Sequence, residues 1–117
     1  METVTAPVAL IDRYLACWNE ADPARRRALI DETFATSATY ADPALTGAGR
    51  DGIDAMIAGF QAQYPNHTFS GGETDGDSAF TWSLTATDGT LLIRGRDEYT
   101  LAEDGTFATI TGTFLDQ

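Results

Sequence analysis

The stretch Ala79-Phe-Thr-Trp-Ser-Leu-Thr-Ala-Thr-Asp-Gly-Thr-Leu-Leu-Ile-Arg-Gly-Arg-Asp-Glu-Tyr-Thr-Leu101 decides the fold. Phe80, Trp82 and Leu84 alternate with Thr81, Ser83 and Thr85, the period of a half-buried strand over 79–87. Asp88-Gly89 is a hairpin dipeptide. The chain then returns as a strand over 91–101. Alternation places Ile93, Gly95, Asp97, Tyr99 and Leu101 on one face, and Arg94, Arg96, Glu98 and Thr100 on the other. Asp97 therefore shares a face with apolar side chains. A carboxylate there is costly unless it is paired, protonated or functional.

Downstream, Glu103-Asp-Gly105 is a second hairpin and 106–115 a last strand. Its threonines (Thr106, Thr109, Thr111, Thr113) suit a pleated, partly exposed surface. Upstream, a short strand covers 67–71 and a turn covers 73–77. Before that the period changes. Ile53, Met56, Ile57, Phe60 and Tyr64 form a helical apolar stripe closed by Pro65. The stretch 44–52, with Gly47, Gly49 and Gly52, reads as a loop, and 36–42 reads as a strand stopped by Pro43. The first helix spans 7–20, with Ile11, Tyr14, Leu15 and Trp18 as its buried stripe, Thr5 as cap and Pro7 in its first turn. Asp22-Pro23 opens a second helix running to about Glu32, whose Arg25-Arg26-Arg27 triplet reads as a solvated face. The order α-α-β-α-β-β-β-β indicates one α+β domain over 1–117. A curved, mostly antiparallel sheet wraps around three helices and leaves a cavity between them.

Composition narrows the chemistry. Acidic residues number 18 against 7 basic ones, a formal charge of -11, and there is no lysine. A basic face for nucleic acid or for an anionic membrane surface is not available. No apolar run approaches the ~20 residues that span a bilayer. The N-terminus lacks a basic-then-apolar leader pattern, and a lone Cys17 fits a reducing compartment, so a cytoplasmic location is expected. A lysine Schiff base is excluded. One cysteine and one histidine cannot build a zinc site of the usual nitrogen and sulfur type, and no metal or other cofactor is expected.

There is no nucleophile elbow, P-loop or dinucleotide fingerprint. Asn66-His67-Thr68 matches a glycosylation triplet by accident of composition, and Asp75-Gly-Asp77 reads as a turn rather than a calcium loop. His67 reads as a strand-start residue near the rim, with a general base as the functional alternative. Chemistry thus falls to carboxylates and tyrosines. Tyr14 lies on a buried stripe, so its hydroxyl needs a partner or a cavity. Asp42 either caps the turn before Pro43 or faces a site. Trp18, Phe60, Tyr64, Phe80, Trp82, Tyr99, Ile110 and Phe114 supply either a pocket wall or a core.

The chain resembles SnoaL-like members of the nuclear transport factor 2-like superfamily. The likeness is carried by Tyr14-Leu-Ala-Cys-Trp-Asn-Glu20, Asp22-Pro23, Tyr40-Ala-Asp-Pro43, Gly49-Arg-Asp-Gly-Ile53, Gly95-Arg-Asp97, Asp104-Gly105 and Gly112-Thr-Phe-Leu-Asp116. It implies the cone-shaped, cystatin-like α+β roll and a homodimer. Within the superfamily, Arg13-Tyr14, Asp42-Pro43 and the position of Asp97 before Gly105 are similar to the catalytic positions of ketosteroid isomerase. That enzyme sets an aspartate base beside a tyrosine and a protonated aspartate. The resemblance makes Asp42 the base, with Tyr14 and Asp97 as donors to an enolate oxygen. In a polyketide-cyclase-like aldol closure, the base is Asp42 or Asp97. Both arginines near Asp97 fall on the opposite strand face, which argues against the epoxide-hydrolase branch. The expected function is proton abstraction from an apolar ketone-like metabolite, by an isomerase or cyclase. The alternative is a non-catalytic small-ligand binder.

Overall fold

The computed structural model describes residues 7–115. Thr5 and Asp116 lie outside that range. Helix α1 is Val8–Asn19, with Pro7 at its N-cap position and no side-chain cap. Helix α2, Pro23–Thr33, starts where Asp22 accepts a hydrogen bond from the Arg25 amide at 2.9 Å. Strand β1, Phe34–Ala41, follows without a break. The stretch read as a loop contains a short strand, β2, Thr46–Ala48, paired antiparallel with β1. Three residues carry too little alternation to announce a strand. Helix α3, Gly49–Gln63, begins one turn before its apolar stripe, because Gly49-Arg-Asp-Gly52 contributes nothing to the stripe. Strands β3 (Thr68–Thr74), β4 (Ala79–Thr85), β5 (Leu91–Leu101) and β6 (Phe107–Leu115) complete the chain.

The six strands run in the order β2-β1-β6-β5-β4-β3. All neighbours are antiparallel except β1 and β6, which are parallel. The pairing of β3 with β4 slips between Gly71 and Glu73, where Gly71 and Gly72 take φ of 105° and 80°. Such a bulge adds twist and bends the strand, and here β3 folds over α1. On β5, Gly95, Asp97 and Tyr99 are buried while Arg94, Glu98 and Thr100 are exposed, as alternation requires. Arg96 turns outward to Asp75 at 2.6 Å and Glu98 at 2.8 Å.

Aromatic side chains divide the interior into two ends. At one end Phe34, Phe80, Tyr99 and Phe107 pack together, with ring centroids 5.2–6.3 Å apart. At the other, Trp18, Phe60, Phe69 and Trp82 stand in edge-to-face and tilted pairs around open space. Tyr14 stands between the two ends and meets Phe34, Phe80 and Phe107 edge-on.

One reading needs correction. Arg26 is not on a solvated face: it is 6% exposed. Its guanidinium donates to Asp54 at 2.8 Å, to Gln61 Oε1 at 3.0 Å and to the Glu20 carbonyl at 3.2 Å. One residue of the triplet must face α3, and the acid and amide waiting there satisfy it. Arg27 stays outside, paired with Asp31 and Asp51. No helix among the described residues is long and apolar enough to cross a membrane.

Candidate functional site

A cavity of about 680 Å³ opens between α1, α3 and the concave face of the sheet. Two carboxylates reach it, Asp97 from β5 and Asp42 from the β1–β2 turn. Asp97 is 1% exposed. The Tyr14 hydroxyl donates to its Oδ2 at 2.7 Å, and the Trp82 indole N–H donates to its Oδ1 at 3.0 Å. Burial pushes the Asp97 carboxyl up from 3.8 to about 6, although both donors pull the other way. Burial also raises the Tyr14 hydroxyl well above its ordinary range, helped by the adjacent Asp97 charge.

Cross-strand register places these groups. Trp82 lies opposite Gly95, and Asp97 lies opposite Gly112. A β-carbon on Gly95 would overlap Trp82 Cζ2, so the indole lies on bare backbone with its N–H aimed along β5. A β-carbon on Gly112 would stand 2.7 Å from Asp97 Oδ1, 3.2 Å from Asp42 Cβ and 3.5 Å from Tyr40 Oη. The missing side chain on β6 is the space in which the two carboxylates and Tyr40 meet.

Asp42 is half-buried and does two things. Its Oδ1 accepts from the Ala44 and Leu45 amides, both at 2.7 Å, which closes the turn into β2. Its Oδ2 accepts from the Tyr40 hydroxyl at 2.6 Å. Burial, then the charges of Asp97 and Asp42, push the Tyr40 hydroxyl far above its ordinary range. The motif containing Tyr40 stands out in the sequence, but the residue has no role there. A signal was present: Tyr40 precedes Asp42 by two positions in a strand, so both side chains leave the same face.

Of the residues expected to form the wall, Trp18, Phe60, Tyr64, Trp82 and Phe114 line the cavity. Phe80, Tyr99 and Ile110 do not. They are 0%, 4% and 1% exposed and belong to the packed interior, Phe80 and Tyr99 against Phe107. Alternation assigns a side chain to a face, and a curved face has a packed end as well as an open one. His67 stands apart from the cavity lining, its Nδ1 at 3.0 Å from the Pro65 carbonyl and its ring against Tyr64.

Asp97 reverses the usual pH dependence of a buried carboxylate. Its folded value lies above the unfolded one, so the folded state holds the proton more tightly. Acidification through the window between about 6 and 3.8 therefore favours folding at this residue, and a rise in pH removes that stabilisation. Urea unfolding should show the wild type gaining roughly 1 kcal/mol over Asp97→Asn between about pH 7 and about pH 5. A difference that stays flat, or runs the other way, would contradict the raised value.

The SnoaL-like domain family matches residues 11–110. A crystal structure of a proposed isomerase of the SnoaL-like family from Agrobacterium tumefaciens is 33% identical, with a TM-score of 0.86 over 92% of this chain and 95% of that one. An NTF2-like protein of unknown function from Exiguobacterium sp. 255-15 has a TM-score of 0.71 at 18% identity, over 92% of this chain and 99% of that one. A proposed SnoaL-like polyketide cyclase from Jannaschia sp. CCS1 has a TM-score of 0.69 at 14% identity, over 98% and 91%. The last two establish the fold. No curated protein matches the chain.

Proposed function

We propose, from the premise that this chain belongs to the SnoaL-like domain family, that it is an enzyme removing a proton α to the carbonyl of an apolar ketone, with Asp97 as the base. The observation that carries this is Asp97 itself: a carboxylate sealed against the cavity and held by Tyr14 and Trp82. Its value of about 6 is close to neutrality, where a general base is most effective. The family resemblance gives that part to Asp42. Asp42, however, already accepts three hydrogen bonds, two of which hold a turn together.

Asp97 takes the α-proton, the C–H electron pair becomes the enolate double bond, and the carbonyl π pair moves onto oxygen. Once Asp97 carries the proton, the Tyr14 hydroxyl is released to donate to that oxygen. Return of the proton to the γ-carbon of an unsaturated ketone completes an isomerisation. Attack of the enolate carbon on a second carbonyl, with the proton passing to the new alkoxide, completes an aldol closure. The Agrobacterium relative, named as a proposed isomerase, supports the first outcome. The lining supports an uncharged ligand: its charged residues are Asp42 and Asp97, and no arginine reaches it.

β-Tetralone, an aryl ketone with acidic α-protons, tests the reading without knowledge of the natural substrate. In heavy water, the protein should accelerate α-deuteration saturably, with an acid limb near pH 6. Binding of the ketone without acceleration would overturn catalysis and leave a ligand-binding protein.

A further inference from the structure

Gly59 stands inside α3 with no structural reason to be a glycine. Six other glycines take a positive φ, and Gly47, Gly52, Gly95 and Gly112 each sit against another residue. Gly59 does neither: a β-carbon there would meet nothing within 4 Å. A glycine inside a helix costs stability relative to alanine, because its backbone has more freedom to lose and it gains no packing. Yet Gly59 lines the cavity. It is exposed, whereas Asp97 is 1% exposed, so it stands at the mouth and not at the sealed floor. Met56 and Phe60 of the same helix lie deeper. Gln63, one turn further along the same helix face, is also an exposed residue of the cavity lining. Its neighbour Gln61 uses its amide inside the fold, on Arg26 and the Trp18 and Glu20 carbonyls. Tyr64, 41% exposed, completes this side, its ring held against Phe60 at 5.1 Å and His67 at 5.6 Å.

We infer that Gly59 is a specificity-determining position: it keeps open a slot at the mouth through which the far end of an extended ketone leaves the cavity, with Gln63 and Tyr64 as its outer contacts. This rests on Asp97 marking the reacting end. The ligand then has its carbonyl at the floor and an uncharged hydrogen-bonding group, such as a hydroxyl, at the other end. The Gln63 amide can donate and accept at once, and the lining holds no cation to pair with an anionic group. Size agrees. A cavity of about 680 Å³ suits a drug-sized molecule, and a two-ring ketone at Asp97 fills only part of it. A side chain at position 59 would stabilise the helix and close the slot, so the bare backbone there serves the ligand and not the fold.

The test compares two probes by calorimetry: β-tetralone, and β-tetralone carrying a para-hydroxyphenyl group on its benzo ring. The wild type should bind the longer ketone about tenfold more tightly, as the burial of one more ring implies. Gly59→Leu suits a helix and fills the slot, and it should bring the two affinities to near parity. Their ratio cancels any general loss of binding. No preference in the wild type, or an undiminished one in Gly59→Leu, overturns the slot. Gln63→Leu should weaken the hydroxyphenyl ketone about fivefold relative to its phenyl counterpart, and equal weakening overturns the contact with Gln63. In urea unfolding, Gly59→Ala should raise the folding constant about fivefold, and a fall would give the glycine a structural duty and overturn the inference. Deuteration is read separately. If the preference follows Gly59 but neither ketone exchanges in the wild type, the base reading falls and the slot stands. If both exchange without preference, the slot falls and the base reading stands.

Discussion

Asp97→Asn is expected to slow α-deuteration of β-tetralone by about a thousandfold while the protein stays folded and still binds the ketone. The amide keeps the shape of the carboxylate and can still accept from Tyr14, but it cannot take a proton. Binding can be followed through the fluorescence of Trp18 and Trp82, both of which line the cavity. Asp42→Asn, by contrast, should disturb the turn at Ala44 and Leu45, yet leave a base in place. The pair of variants separates two assignments. Loss at Asp42 with retention at Asp97 would return the base to the position that the family resemblance implies.

Gly95→Ala should cost about 3 kcal/mol in urea unfolding, a large effect for one methyl group on a strand. The new carbon would occupy the place of the Trp82 ring, and β4 and β5 are too tightly paired to part around it. The ring must leave, and Asp97 then loses its indole donor. Trp82→Leu frees that space, so adding Gly95→Ala to it should cost at least about 1 kcal/mol less than in the wild type. Simple additivity would mean that the glycine is needed for some reason other than the indole.

The parts of the fold that showed in the sequence are those with a local period. The alternation of β5 placed Asp97 among apolar side chains, and the buried Gly95, Asp97 and Tyr99 between exposed Arg94, Glu98 and Thr100 follow it. The α3 stripe likewise gave its buried Ile53, Met56 and Ile57. What did not show depends on which residues meet across strands. Trp82 donates to Asp97 because register sets it over Gly95, and the carboxylates converge because Gly112 lies opposite Asp97. Neither relation is written in any single stretch. The misplacement of Phe80 and Tyr99 has the same origin. The parallel pairing of β1 with β6 sets Phe34 opposite Phe107 and fills that end of the concave face with rings. Asp42 shows a third kind of limit. Two uses of one side chain, capping a turn and facing a cavity, looked like rival explanations and are simultaneous.

Tyr14 stands at the boundary between packed rings and open space, and that position bears on how the chain can diverge. The contacts that hold the domain together lie on one side of it, around Phe34, Phe80 and Phe107. The surfaces that meet a ligand lie on the other, around Trp18, Phe60 and Phe69. Changes on the ligand side can alter what is admitted without loosening the ring cluster beyond it. One tyrosine, touching both, is where the freedom to take new molecules and the obligation to remain folded meet.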